Sequence, residues 1–336
     1  MKRILSISSV FIGLVIGAGF ASGKEIFNFF CLPSRTDFTG IVLATISFGA
    51  ICFIIMHLSQ KCCSKTFDQL IEHLCNSFAP AIKLFMLAFM FSGFFIMFSA
   101  CGVLAKETFS LSPQWGIWFL ALMCFVVFSF DVKGLVAINT VLVPIMLAGM
   151  TYVCLSAGLA ALPVFSAFES IKTNPLISAL CYVSYNTITA GAVLVPLSNA
   201  ATRKQIICAS TVSSFILGIT IFIAWLCMNH FFKGLADSEM PLLELASRDG
   251  DFSKKCYTVV LFMALCTTAV SYGFGILSKF RFKTRAYRIG ASAILCLLAI
   301  PLASLGFSTL VANLYSAFGY MGLFWTAFII IKYLKS

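Results

Sequence analysis

The stretch GLVIGAGFASGKEIFNFF, Gly13 to Phe30, concentrates more chemistry than any other part of a strongly apolar chain. Gly17, Gly19 and Gly23 puncture it, and Ser22, Lys24 and Glu25 form its polar end. A helix unwound here ends its first half near Ile16 with unbonded carbonyls, partially negative and suited to a cation. Its second half restarts near Ser22 with unbonded N–H groups, partially positive and suited to a carboxylate. One break can therefore hold a coupling ion and the acid group of a zwitterion side by side. Ordinary close packing is the alternative, because small residues let helix backbones approach each other in lipid. Ser22-Gly23-Lys24-Glu25 also spells a capping box, in which the Ser and Glu side chains satisfy N–H groups at a new helix start. An ionisable residue inside a span is otherwise a candidate for function, so Glu25 reads as a cap or as a proton carrier. Lys24 has three open partners: Glu25, a vestibule, or the polar run described next.

That run is SYNTITAG, Ser184 to Gly191, followed by Pro196, and it interrupts the apolar segment Pro175 to Thr202. A third string, ALCTTAVSYGFG from Ala264 to Gly275, carries adjacent hydroxyls. Thr267 and Thr268, with the Ala264 carbonyl, offer the oxygen ligands that a hard cation such as sodium takes. The plainer reading is that both threonines bond back to the preceding turn.

Composition says what frame must position these residues. The chain has 336 residues, 60% hydrophobic and 10% charged, with a mean hydropathy of +1.01. Soluble domains carry about 25% charged residues, so this reads as an all-α integral membrane protein. Phe38 to Gln60, Leu84 to Ala105, Thr108 to Phe130, Gly134 to Ser156, Pro175 to Thr202, Gln205 to Phe232 and Cys256 to Ser278 each reach the ~20 residues that cross a bilayer as helix. Ile289 to Ile331 is about twice that length and predicts a hairpin turning at Pro301 to Gly306. With the opening segment from Ile4, the expectation is ten helices.

The net charge of +11 is topology rather than nucleic-acid binding. Of the 23 Lys and Arg, 15 fall on the side of the N-terminus and 7 on the other, with Lys24 left in the membrane. Cytoplasmic loops retain Lys and Arg, so both termini are expected in the cytoplasm. The densest cluster, Lys279 to Arg288, would lie on anionic lipid heads. The start, MKR before an apolar run, superficially matches a secretory signal, but the spans that follow favour an uncleaved first helix. The 14 cysteines lie mostly in spans, where Cys behaves as a small hydrophobe. Cys62 and Cys63, with His57 and His73, lack the spacing of a metal site. The longest polar stretch, Phe231 to Lys255, could place a short amphipathic helix at Pro241 to Ala246, either as a surface loop or as a lid over a vestibule.

Ten helices divide into two sets of five, residues 4–156 and 175–331. An odd number in each set inverts the second relative to the first. The interruptions then fall at matching positions, in helices one and six, which is where inverted repeats build a binding site from broken helices.

VIGAGFASGKEI resembles the first-helix signature of the YkvI-type bacterial membrane proteins, which look like distant members of the amino acid–polyamine–organocation superfamily. The resemblance implies the LeuT-like five-plus-five inverted repeat, with helices one and six broken. It departs at Lys24, where the signature more often has Gln or Arg. In sodium-coupled members of this fold, first-helix carbonyls, an eighth-helix carbonyl and two adjacent eighth-helix hydroxyls hold one ion. Carried over, that set is Gly13, Ile16, Ala264, Thr267 and Thr268, with Na⁺ as coupling ion and no other cofactor. The solute would contact Ala18, Gly19, Phe20, Ala21, Ser22 and Gly23, together with Tyr185, Asn186 and Thr187. Tyr182 or Phe94 would form an aromatic wall. The implied function is secondary active transport of a small organic solute, an amino acid above all, coupled to sodium or protons. A non-transporting sensor of the same fold, like germinant-receptor subunits, is the second reading. An enzyme is not expected, because no catalytic, metal or nucleotide constellation is present and His57, His73 and His230 lie at or beyond span ends.

Overall fold

The computed structural model describes residues 2–31, 38–129, 135–158, 174–199, 201–280 and 282–335. The first span is interrupted twice, giving α1 (Lys2–Val15), the single turn α2 (Ala18–Ala21) and α3 (Lys24–Phe30). There follow α4 (Thr39–Lys61), the short α5 (Phe67–Cys75), α6 (Ala79–Phe109), α7 (Pro113–Ser129) and α8 (Leu135–Gly158). The second half holds α9 (Pro175–Ser198), α10 (Arg203–His230), the short α11 (Phe232–Leu235) and α12 (Pro241–Asp249), α13 (Asp251–Leu277) and α14 (Arg285–Ala303). The last span is α15 (Phe307–Leu310) and α16 (Ser316–Leu334), joined by a π-helical turn at Val311–Tyr315. Among the described residues there is no strand, and six helical segments are long and apolar enough to cross a membrane unaided. The apolar cores of α1, α7 and α8 are shorter, and α9 adds 24 residues. The protein is an all-α membrane protein of about ten spans.

The last two spans turn at Ser304 to Gly306, where Gly306 takes φ +95°, so the expected hairpin is present. The sixth span differs from expectation. Far from breaking, α9 is helical from Pro175 through Ser198. Its polar side chains explain why: Asn186 Nδ2 donates to the Tyr182 carbonyl at 2.9 Å and Thr187 Oγ1 to that of Val183 at 2.8 Å. Both bond back four residues into their own helix, which satisfies them without unwinding it. Of the charges used to orient the chain, Arg35, Lys133, Lys172 and Arg281 lie outside the described residues.

The helices sort into two groups by contact. α1, α4, α9 and α10 pack on one another, and α6, α7, α13 and α14 form a second set. α8 bridges them, touching α1 and α10 on one side and α13 on the other. In lipid the drive for such packing is close approach rather than hydrophobic burial. Gly116 of α7 is a tight example, since a Cβ there would run into the Cys101 carbonyl of α6. Gly116→Ala is therefore expected to destabilise the second group by about 1–3 kcal/mol, read as a lower thermal unfolding midpoint in detergent. Gly290→Ala, at a glycine with open space beside it, should leave that midpoint unchanged.

Candidate functional site

The two interruptions of the first span have different fates. At the second, α2 closes normally, with Ala21 N–H donating to Gly17 and Ser22 N–H to Ala18. Gly23 then turns the chain at φ +81° into α3, a conformation L side chains rarely adopt. The carbonyls this turn frees are taken by protein. Tyr257 Oη of α13 donates to the Ala21 carbonyl at 2.5 Å, the Leu242 N–H of α12 to that of Ser22 at 3.0 Å, and Ser22 Oγ to that of Gly19 at 2.9 Å.

The first interruption, at Ile16 and Gly17, opens toward α13. A cavity of about 30 Å³ lies there, lined by Gly13, Leu14, Thr189, Thr267, Thr268, Ser271 and Tyr272. A cavity needs only about 10–15 Å³ on this measure to hold a water, so there is room for a water or a small cation. Across the break, a Cβ on Gly17 would stand 3.3 Å from Thr268 Oγ1. The Thr267 hydroxyl donates to the Met263 and Ala264 carbonyls, each at 3.1 Å, and Ser271 Oγ to the Thr267 carbonyl at 2.7 Å. The sequence-derived set thus converges in part. Gly13, Thr267 and Thr268 line the cavity, Ala264 reaches it only through the Thr267 hydroxyl, and Ile16 is buried but is not among the lining residues. Leu14, Thr189, Ser271 and Tyr272 were missed. The last two had a signal: Ser271 and Tyr272 follow Thr267 and Thr268 by four residues, which puts them on the same helix face.

Glu25 is not the second half of a capping box. That motif needs a free N–H on its Ser, and the Ser22 N–H is already bonded to Ala18 as α2 closes. Ser22 Oγ still accepts from the Lys24 N–H at 3.3 Å, but the Glu25 carboxyl folds back against Gly19, where a Cβ would overlap it. It is buried, with Tyr185 of α9 beside it. Tyr182 and Tyr272 come within electrostatic range of the same carboxyl. Tyr182 packs with Phe29, Phe30, Phe48 and Tyr185. Phe94 belongs elsewhere, with Phe98 and Phe128. The ring lying between Tyr185 and Tyr272 is Phe89. Asn186 and Thr187 are buried and spend their side chains on α9 itself.

Lys24 points the other way. Its Nζ donates to the Ser238 carbonyl at 2.7 Å, with the acidic groups of Asp237 and Glu239 nearby. That segment leads into α12, whose Leu242, Leu243, Leu245 and Ala246 are buried. Leu242 sits directly against Gly23. Residues 237–249 are therefore a strap held onto the broken span rather than a free surface loop.

A twice-interrupted first span facing a small cavity against α13, among about ten spans, defines a protein of the LeuT fold. Solved structures share it at low identity. MhsT in complex with L-phenylalanine matches with a TM-score of 0.68 and 14% identity, over 98% of this chain and 88% of its own. Mhp1 in its inward-facing conformation gives 0.63 and 15%, over 97% and 75%. A Na⁺-coupled sialic acid symporter, substrate-bound and outward-open, gives 0.60 and 10%, over 95% and 75%. The chain belongs to the family of the Bacillus subtilis (strain 168) protein YyaD, with which it is 30% identical over 316 residues, 93% of this chain and 92% of YyaD. The membrane protein YkvI of the same strain is 23% identical over 323 residues, 94% and 91% of the two chains. No protein-family model matches the chain.

Replacing Lys24 should free the strap. Hydrogen bonds from charged groups contribute about 1.5–3 kcal/mol, so Lys24→Met is expected to speed amide exchange at 238–246 by about tenfold or more, measured by hydrogen–deuterium exchange. Lys204→Met, on α10 far from the strap in sequence, is the control and should not change it.

Proposed function

We propose that this chain is a secondary active transporter of a small organic solute, an amino acid, coupled to sodium or protons and working by alternating access. The observation that carries the reading is the small cavity between the α1 break and α13, lined by Gly13, Thr267 and Thr268. In this reading those residues, with the Ile16 and Ala264 carbonyls completing the shell as helices rearrange, bind Na⁺. The solute binds beside it, along Ala18 to Gly23 and against Tyr185, with Asn186 and Thr187 behind. Residues 4–156 and 175–331 act as inverted repeats in the bacterial inner membrane, with both termini in the cytoplasm. Solved proteins of the same fold include a Na⁺-coupled symporter and a protein crystallised with L-phenylalanine, which supports the class of solute and ion.

Purified protein in liposomes, offered labelled amino acids under sodium or proton gradients, tests the reading. Uptake driven by one of these gradients is expected. Tight amino-acid binding with no uptake under any gradient would instead make the chain a sensor of the same fold. Loss of even an outer-shell partner costs a metal site about 10–100-fold in affinity, so Thr268→Ala should raise the sodium concentration needed for half-maximal uptake by about tenfold or more. Unchanged sodium dependence would rule out the proposed ion site.

Orientation has a separate check. Cys63 is exposed and Cys62 half-buried at the end of α4. An impermeant maleimide should label them from the cytoplasmic face of inverted vesicles and not from outside intact cells.

A further inference from the structure

Glu25 and Lys24 are neighbours in sequence, yet the cation is committed to Ser238 and the carboxyl faces the interior. The groups around that carboxyl can be enumerated element by element. α2 contributes only Ala18 to Ala21, with Gly19 beneath the carboxyl. α9 contributes the Tyr185 and Tyr182 hydroxyls, and α13 contributes Tyr272, one turn from Thr268. α12 presents Leu242 to Gly23, and its Glu244 faces Arg248. From α10, Trp225 donates to the Phe30 carbonyl and Cys227 lies toward Cys31. Among the described residues, no Lys, Arg or His pairs with Glu25. The Tyr182 hydroxyl is fully buried and has no hydrogen-bond partner among them.

An ionised carboxylate without a counter-charge inside a membrane is costly, so such groups are paired or neutral. A carboxylate also has about four acceptor sites, and one tyrosine hydroxyl cannot fill them. What would complete them is a compact donor with positive charge: an ammonium carries three N–H donors, and tyrosine faces attract it through their ring electrons.

Resting on the transporter reading and naming the recognised group, we infer that Glu25 is the subsite for the ammonium of the solute, held in exchange for a proton. Before the solute arrives, Glu25 carries a proton and is neutral. When the ammonium docks, the carboxyl O–H bond breaks, the proton leaves to solvent, and the carboxylate pairs with the ammonium. The site's net charge is raised by the arriving cation and lowered by the departing proton, so it returns to its starting value. Each bound ammonium therefore expels one proton, at an acidic group distinct from the cavity lined by Gly13 and Thr268. Solutes of the same shape with the nitrogen acylated offer no charge to replace the proton, and are excluded.

The test uses purified full-length protein in weakly buffered, mildly acidic detergent solution. The probes are the common L-amino acids, a series of primary mono- and diamines, and their N-acetyl counterparts. Binding is followed by calorimetry and proton release by a pH dye. The expected result is binding of at least one ammonium probe with close to one proton released per molecule, release that declines as pH rises, and no binding of its N-acetyl form. Glu25→Gln should abolish proton release and weaken binding by about tenfold or more. Tyr185→Phe, which keeps the carboxyl, should weaken binding yet retain release, and this separates loss of the exchange from loss of folding. Binding of no ammonium probe, binding without proton release at every acidic pH, or equal binding of the N-acetyl forms would overturn the inference. Uptake into liposomes that survives unaltered in Glu25→Gln also overturns it while leaving the transporter reading intact. Proton release on binding, with no uptake under any gradient, would do the reverse.

Discussion

A backbone interrupted inside a bilayer has no water to complete its hydrogen bonds, so each freed carbonyl and N–H must find a partner within the protein or a ligand. The first span of this protein is interrupted twice within a few residues, and the two accounts close differently. Around Ser22 and Gly23 the partners come from the protein: Tyr257 reaches across from α13, Leu242 donates from α12, and Ser22 folds back on Gly19. Ahead of Ile16 and Gly17, Gly13 and Leu14 of α1 border a small cavity whose far wall carries Thr267, Thr268 and Ser271. One break is a joint sealed by its neighbours, and the other borders a cavity.

The same geometry separates two adjacent charges. Consecutive residues on a helix point about 100° apart, so neighbours in sequence do not face each other. Lys24 and Glu25 diverge accordingly, one toward the strap with its acidic Asp237 and Glu239, the other toward Gly19 and the tyrosines. Gly19 is what permits the second direction, because any side chain there would occupy the volume of the Glu25 carboxyl. The glycine spacing therefore serves side-chain placement as much as backbone freedom. Gly17 makes room for Thr268, Gly19 for Glu25, and Gly23 for Leu242.

Much of this was legible in the sequence where a single physical rule governed it. Apolar length fixed the spans, and the excess length of Ile289 to Ile331 required a turn near Gly306, where the chain bends. The glycine cluster announced the first break, and the paired threonines pointed to the wall that faces it. Rules in competition were not separable. Asn186 and Thr187 looked like a break because polar groups in a span need partners, but back-bonding within α9 supplies those partners more simply. The Ser-x-x-Glu pattern has the form of a capping box, and Thr66 with Gln69 and Thr202 with Gln205 do form boxes in this chain. It fails at Ser22 because the preceding turn has already used the N–H it needs. Phe94 and Phe89 lie five residues apart on one helix, and no local feature says which of them turns toward Tyr185. The Tyr257 bond to Ala21 spans 236 residues, and nothing near either end announces it.

The placement of the cavity ties local chemistry to large-scale motion. Its walls come from α1 and α9 of one helix group and from α13 of the other, so a ligand there touches both at once. A bound ligand shifts a conformational equilibrium only through contacts that differ between the two states. Contacts made wholly within one group would move with it and bias nothing. Gly13 and Thr189 lie on one side of it and Thr267 and Thr268 on the other, so any movement of one group against the other would change their separation. The tyrosines divide in the same way, Tyr182 and Tyr185 on α9 and Tyr272 on α13, with Glu25 between them. Tyr257 and Leu242 then act as the counterweight, fastening the far end of the same broken span to α13 and to the strap. The span is thereby fixed to its neighbours at its second interruption and borders a cavity near its first, and that division follows from which of its interruptions the rest of the protein fills.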